Sequence, residues 1–292
     1  MRSPTSHALF IPLIFLLASC GGRESSHSSG ASQHSIQIKG SDTMVNLVQA
    51  WAERYMADHP DVLVAVTGGG SGTGFAALLS GTCDIAIASR EIKAKEVEEA
   101  KKKNIDPKEM TVALDGIAVT VSPKNPVSRL TIDQVADIFT GKIRNWKEIG
   151  GEDRPIVLLS RELNSGTHLY FKEHVLRKGD AKGTEEFDEG SLLMPSSQAI
   201  ADEIAQNPNA IGYFGIGYSN PTQKILPIAR DAQSEYYLPT IENIQKGKYY
   251  ISRPLLMYIN GESQGLVKDM IEFIKSEEGQ QIVKEIDFVP VL

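Results

Sequence analysis

Cysteine is nearly missing from this sequence: Cys20 and Cys83 are the only two among 292 residues. Two such distant cysteines give no disulfide framework, so a packed core must supply the stability. Histidine is sparse as well. His7, His27 and His34 fall in segments outside the expected fold, and His59, His168 and His174 lack metal-ligand spacing, so neither a metal nor another cofactor is expected. Positive charge is in deficit, with a formal net charge of −7. An acidic chain carries no electrostatic footprint for nucleic acid, and Lys101-Lys102-Lys103 reads as the solvated face of a charged helix. The apolar run from Ala8 to Ala18 is about half of the ~20 residues a membrane-spanning helix needs, so no such helix is expected.

What is present begins with a leader. Arg2 precedes the apolar run, and Leu17-Ala18-Ser19-Cys20-Gly21 puts small residues just before a cysteine. An ordinary cleavage site needs no cysteine; this one resembles the bacterial lipobox, in which the thiol takes a diacylglyceryl anchor. Residues 1–19 are therefore expected to be a lipoprotein signal peptide and Cys20 a lipidation site, the alternative being a plain signal with an incidental cysteine. Lipidation of Cys20 leaves Cys83 without a partner, as a small buried residue. Residues 20–35, rich in serine and glycine, read as a tether reaching roughly 20 Å. Loss of Arg2 with the leader takes the mature chain from −7 to −8. An anion site in such a chain must work through local hydrogen bonds and helix dipoles, not the overall field.

From residue 36 the pattern alternates between short apolar strands and amphipathic helices. Ile36–Lys39, Val62–Thr67 and Asp84–Ala88 read as strands; Val45 to Tyr55, Phe75–Leu79 and Lys93–Asn104 read as helices. This rhythm argues for an α/β layered domain with parallel strands. Val112–Val121 is apolar but interrupted by Asp115-Gly116, which reads as a crossing into a second unit. That unit contains helices at Ile132–Phe139, Asn145–Ile149 and Thr167–Leu176, and strands at Pro155–Ser160 and Ile211–Tyr218. The chain then returns through Ile225–Ile228 and Tyr249–Ile259 to a final amphipathic helix carrying Leu266, Met270 and Ile274. The expected lobes are 36–115 with 225–292, and 116–224. Two crossings favour hinge closure on a ligand, the alternative being one larger α/β domain.

Three polar loops each stand between a strand and a helix start: Gly40-Ser41-Asp42-Thr43, the run Gly68 to Gly74, and Asn164-Ser165-Gly166-Thr167. A helix start offers unpaired N–H groups and a dipole that favours negative charge, and Ser and Thr add hydroxyl donors. Any one of these loops would serve equally as a plain helix cap. The glycine run lacks the lysine of a P-loop and the spacing of a dinucleotide motif, so a nucleotide fold and phosphoryl transfer are disfavoured. Arg161, four residues before Ser165, can fork onto two oxygens of one anion or pair with a surface carboxylate.

From Ile38 to Leu292 the sequence resembles the periplasmic phosphate-binding proteins of phosphate ABC importers, the PstS-like solute-binding proteins. The marks are Gly-Ser-Asp-Thr at 40–43, the glycine run, Asp84 to Arg90, Arg161 with Asn164 to Thr167, Ile138 to Lys142 with Asn145-Trp146, Ile211-Gly212-Tyr213, Arg253-Pro254-Leu255 and Glu278-Gly279-Gln280. The resemblance implies an α/β, two-lobed type II periplasmic binding protein fold with the ligand in a cleft between the lobes. It implies phosphate ligands at Asp42, Thr43, Ser71, Arg161, Ser165, Gly166 and Thr167, with Ser89 and Arg90 where family members place a further ligand. Asp42 stands where many relatives have a hydroxyl, and Arg90 where some have an aspartate. Near neutral pH phosphate keeps a proton and needs an acceptor, which sulfate does not. Asp42 is therefore expected to accept that proton and Arg90 to balance its charge.

The expected function is high-affinity capture of inorganic phosphate and its delivery, unchanged, to the permease of an ABC importer. The protein is expected to be exported, monomeric and attached to a bacterial membrane through the lipid alone. The alternatives are capture of another oxyanion or a phosphorylated metabolite for transport or sensing, and an exported phosphatase. Catalysis would need a base beside Ser71 or Ser165, or a metal, and the sequence identifies neither.

Overall fold

The structure, a computed structural model, describes residues 34–292. The expected leader, the lipidation site Cys20 and the tether up to residue 33 lie outside the described residues. The first strand already begins at His34, two residues inside the expected tether.

The first half of the fold runs β1 (His34–Gly40), α1 (Val45–Asp58), β2 (Val62–Thr67), α2 (Ser71–Ser80), β3 (Ile85–Ala88) and α3 (Ala94–Lys102). β1 lies between β2 and β3, parallel to both. α1 forms because Leu47, Val48, Trp51, Ala52 and Tyr55 recur on one face, and all five are buried. The turn after α3 ends on Asn104 at φ 54°, a left-handed position that asparagine tolerates.

β4 (Pro107–Val121) is a single strand of 15 residues that changes partner midway. Pro107 to Gly116 pair antiparallel with β11 (Ser252–Asn260), while Ile117 to Val121 pair antiparallel with β8 (Ala210–Gly215). The switch falls at Asp115-Gly116. The chain does not leave strand geometry there. A Cβ on Gly116 would lie 2.6 Å from Ile244 Cδ1, so glycine is what that packing admits.

Beyond the switch come β5 (Leu130–Thr131), α4 (Ile132–Phe139) and β6 (Val157–Arg161), then α5 (Gly166–Phe171), which runs on into a π turn at Lys172–Leu176. β7 (Leu192–Met194), α6 (Ser197–Gln206), β8, β9 (Lys224–Ile225), β10 (Ile228–Ala229) and α7 (Ile241–Gln245) follow. Asn145 begins no α-helix; it caps a 3₁₀ turn, Trp146–Ile149. After β11 the chain closes with α8 (Gly265–Lys275) and α9 (Glu277–Glu285). Among the described residues the main sheet has nine strands in the order β2-β1-β3-β11-β4-β8-β6-β7, with β9 beside β4.

Two large cores lie on either side of the switch. Ile36, Ile38, Trp51, Met257 and Ile274 belong to one, and Val119, Ile138, Phe139, Phe171 and Tyr213 to the other. Smaller clusters cover the opposite faces, Phe75, Leu78 and Cys83 in one half and Ile200, Ile204 and Phe214 in the other. β3 and β8 are thus buried on both faces, which is why they read as unbroken apolar runs. Burial pushes the Cys83 thiol up to about 11, as an inert core residue requires. Leu226, Ile228, Ile244, Tyr249 and Ile251 all pack in the second core.

Candidate functional site

The three loops converge at the ends of β1, β2 and β6, with each strand feeding a helix or turn. After β1, Gly40 sits at φ 141° with its Cα against Gly74, and Asp42–Met44 form one 3₁₀ turn before α1. After β2, Gly70 at φ 91° is the residue preceding α2, so Ser71 opens that helix. After β6, the Ser165 side chain caps α5 by accepting from His168 N at 3.3 Å, which leaves Gly166 and Thr167 as its first residues.

These loops touch across the two halves. The hydroxyls of Thr43 and Thr167 are 2.8 Å apart. Asn164 Nδ2 donates to Gly69 O at 2.7 Å, and Gly72 N donates to Asn164 O at 3.1 Å. Ser71 Oγ accepts from Ser89 N at 3.0 Å, and Ser41 Oγ donates to Ser89 Oγ at 2.9 Å. A Cβ on Gly166 would stand 2.7 Å from Ser89 Oγ and closer still to Ser71 Oγ, so the third loop faces both serines directly. Thr43, Ser71, Ser89, Ser165, Gly166 and Thr167 therefore form one buried cluster of hydroxyl and N–H donors.

Arg161 and Asp42 join the same cluster. Arg161 Nη1 lies 3.1 Å from Asp42 Oδ2 and donates to Ser197 Oγ at 2.9 Å, while Nη2 donates to Pro195 O at 3.1 Å. Ser197 N, at the start of α6, donates to Asp42 Oδ2 at 2.8 Å. Asp42 Oδ1 accepts no hydrogen bond among the described residues and faces the glycine run, 3.7 Å from where a Cβ on Gly68 would stand. Burial holds the Arg161 guanidinium below its ordinary pKa and the Asp42 carboxylate pulls it back up.

Arg90 is placed differently from its expected role. Its guanidinium grips Glu96 through both terminal nitrogens at 2.8 and 2.7 Å and lies over the Phe75 ring at 4.8 Å. Glu96 in turn caps α3 through Lys93 N at 2.8 Å. Asp42 is balanced by Arg161 instead, so Arg90 serves the entry into α3.

Several participants escaped the sequence reading. Arg253, on β11, donates to Asp115 Oδ2 from Nε and Nη2 at 3.0 and 2.8 Å, to Thr167 Oγ1 at 2.9 Å and to Ser89 O at 2.9 Å. Both side chains of this ion pair are 0% exposed. Asp115 also accepts from Ile216 N at 3.1 Å, and Tyr218 OH donates to Asp42 O at 2.6 Å. A signal existed for Asp115 and Arg253: Asp115 interrupts the apolar run Val112–Val121 and Arg253 leads into the apolar stretch Pro254–Ile259, and a charge buried there calls for a partner. Ser197 gave only the weak cue of Pro195-Ser196-Ser197 before a helix.

The two arginines and two carboxylates of this network carry no net charge between them. The N–H groups at the starts of α2 and α5 and the hydroxyls lie beside this neutral network.

The model of the PBP superfamily domain matches residues 25–278 of this chain. The chain is 33% identical over 296 residues to the phosphate-binding protein PstS of Bacillus subtilis, covering 97% of this chain and 92% of that one. It is 32% identical to the phosphate-binding protein PstS of Staphylococcus epidermidis, covering 91% and 82%. Among solved structures, a Clostridium perfringens protein described as a phosphate ABC transporter substrate-binding protein with bound phosphate superposes with a TM-score of 0.79 at 35% identity, covering 89% of this chain and all of that one. An ABC-type phosphate transport receptor from Vibrio cholerae gives 0.68 at 30% identity, covering 87% and 99%.

Proposed function

The chain belongs to the PBP superfamily, within its PstS phosphate-binding proteins, and from that membership we propose that it captures inorganic phosphate and hands it unchanged to the permease of an ABC importer. The observation that carries this reading is the convergence of Asp42, Thr43, Ser71, Arg161, Gly166 and Thr167 from three separate loops onto one buried point. Helix caps with no common task would have no reason to face one another. The two lobes meet at this point, and the anion lies between them. We take the second crossing to lie near Tyr250–Arg253 and not at residue 225, a reading supported by Leu226, Ile228, Ile244, Tyr249 and Ile251 in the second core.

Asp42 Oδ1 is the acceptor for the proton that phosphate keeps, Arg161 balances Asp42, and Ser71, Ser89, Ser165 and Thr167 supply hydroxyls. Arg90 is left outside the ligand shell. Calorimetric titration of residues 34–292, stripped of carried-over anion, tests the assignment. Tight one-to-one phosphate binding with no sulfate signal is expected; a folded sample that ignores phosphate would sink it.

No described helix is long and apolar enough to cross a membrane. Attachment is assigned to a diacylglyceryl group on Cys20, with the folded part a monomer exposed outside the cytoplasm. Cys20→Ser should shift the protein from the membrane pellet to the soluble exported fraction, and retention in the pellet would remove the anchor.

A further inference from the structure

We propose that Arg253 is a positioning residue of the phosphate site: seated on Asp115, it aims the hydroxyls of Thr43 and Thr167 and so ties phosphate affinity to closure of the two lobes. The proposal rests on the phosphate reading above.

The guanidinium sits where the two crossing strands meet, since Arg253 of β11 and Asp115 of β4 are paired across the ladder. Asp115 Oδ2 accepts from Nε and Nη2, and Ser89 O accepts from Nη1, which fixes the plane of the fork. The remaining Nη2 hydrogen then points at Thr167 Oγ1 at 2.9 Å and leans on Thr43 Oγ1 at 3.4 Å. A hydroxyl has one hydrogen and two lone pairs. With a guanidinium hydrogen occupying a lone pair, and one threonine hydrogen shared across the 2.8 Å between the two oxygens, the other threonine hydrogen is left for the anion. Thr43 comes from the first half and Thr167 from the second, so Arg253 engages both only when the lobes are together. Lysine keeps the charge but not the rigid planar fork.

The test is a double-substitution cycle read by calorimetric phosphate titration of the whole folded chain, comparing the unsubstituted protein, Arg253→Lys, Thr167→Val and the pair. Arg253→Lys should weaken phosphate binding about 10- to 100-fold, the range seen when partners that orient ligand-binding groups are lost. In the Thr167→Val background the same change should cost several-fold less, because the shorter of the two aimed contacts is gone and only the 3.4 Å reach to Thr43 remains. A purely structural arginine would give the same loss in both backgrounds, and that result, or no loss in either, overturns the proposal. Should Arg253→Lys fail to fold by circular dichroism, Asp115→Asn, which keeps the guanidinium but loosens its seat, takes its place in the cycle with the same expected outcome. Absence of phosphate binding by the unsubstituted protein would instead remove the phosphate reading itself.

Discussion

At the scale of single residues, the site is organised by who holds each charge. Asp42 receives Arg161 and Ser197 N on one oxygen, and the other has no hydrogen bond among the described residues. Asp42→Asn keeps the shape and puts a donor where an acceptor stood. It should reduce the preference for phosphate over sulfate by about 10- to 100-fold, the worth of one charge-assisted hydrogen bond, in paired titrations at pH 7.5. Unchanged preference would assign discrimination elsewhere. His168, one residue past Thr167, is 4% exposed, bonded to Ser160 at 3.3 Å, and pushed down to about 4 from 6.5 by burial and by nearby Lys172. Because its folded value lies below the unfolded one, the unfolded chain binds the extra proton. The contribution is therefore intact above pH 6.5 and lost as pH falls toward 4, amounting to about 3 kcal/mol in all. Urea denaturation of His168→Gln should show a shallower loss of stability between pH 6.5 and 4.5 than the parent. That Ser165 and Thr167 stand at a helix start was legible from residue type and spacing. The partner of Asp42 was not, since nothing in the sequence around Arg90 announces Glu96 as its competitor.

At the scale of elements, close backbone approach and helix starts decide the geometry. α2 lies on β1 through Gly74, whose added Cβ would stand 2.8 Å from both Gly40 Cα and Lys39 O. Backbone cannot swing aside as a side chain can. Gly74→Ala should therefore cost about 1–3 kcal/mol in the denaturation midpoint and displace Ser71; a midpoint within error of the parent would show that α2 shifts freely. The strands β1, β2 and β3 and the helices α1 and α4 were readable because their apolar periods are strong. α6 was not, because Ile200, Ala201 and Ile204 give it a thin apolar stripe beside many polar residues. Its N-terminus nonetheless seats both Asp42 and Arg161. β4 was read as interrupted at Asp115-Gly116, yet it continues, because Arg253 neutralises Asp115 and the glycine makes room for Ile244. Removing one member of such a buried pair typically costs about 3–5 kcal/mol.

At the scale of the whole molecule, the chain is acidic and the charges of the proposed site cancel. On the proposed reading the overall field opposes the anion and local donors hold it. Raising salt from 20 to 150 mM should therefore leave the association rate for phosphate unchanged or increase it by about twofold, because screening weakens repulsion before contact. Stopped-flow rates that fall several-fold over that range would point to a positively charged approach path. The long β4 and β11 carry the chain between two separately packed cores, and the Asp115–Arg253 pair sits where they meet.

The sequence by itself determined the α/β rhythm and the three polar loops that precede helix starts or turns, because periodicity, glycine placement and helix starts are local properties written in neighbouring residues. It also leaves no overall positive field, since acidic residues outnumber basic ones. Only the tertiary structure decided who pairs with whom. Arg161 takes Asp42, Arg90 takes Glu96, and Arg253 takes Asp115 while reaching two threonines. The three ion pairs join residues 6 to 138 positions apart in the chain, and no local pattern ranks one carboxylate above another for a given guanidinium. Distance and burial do, and they exist only once the chain has folded.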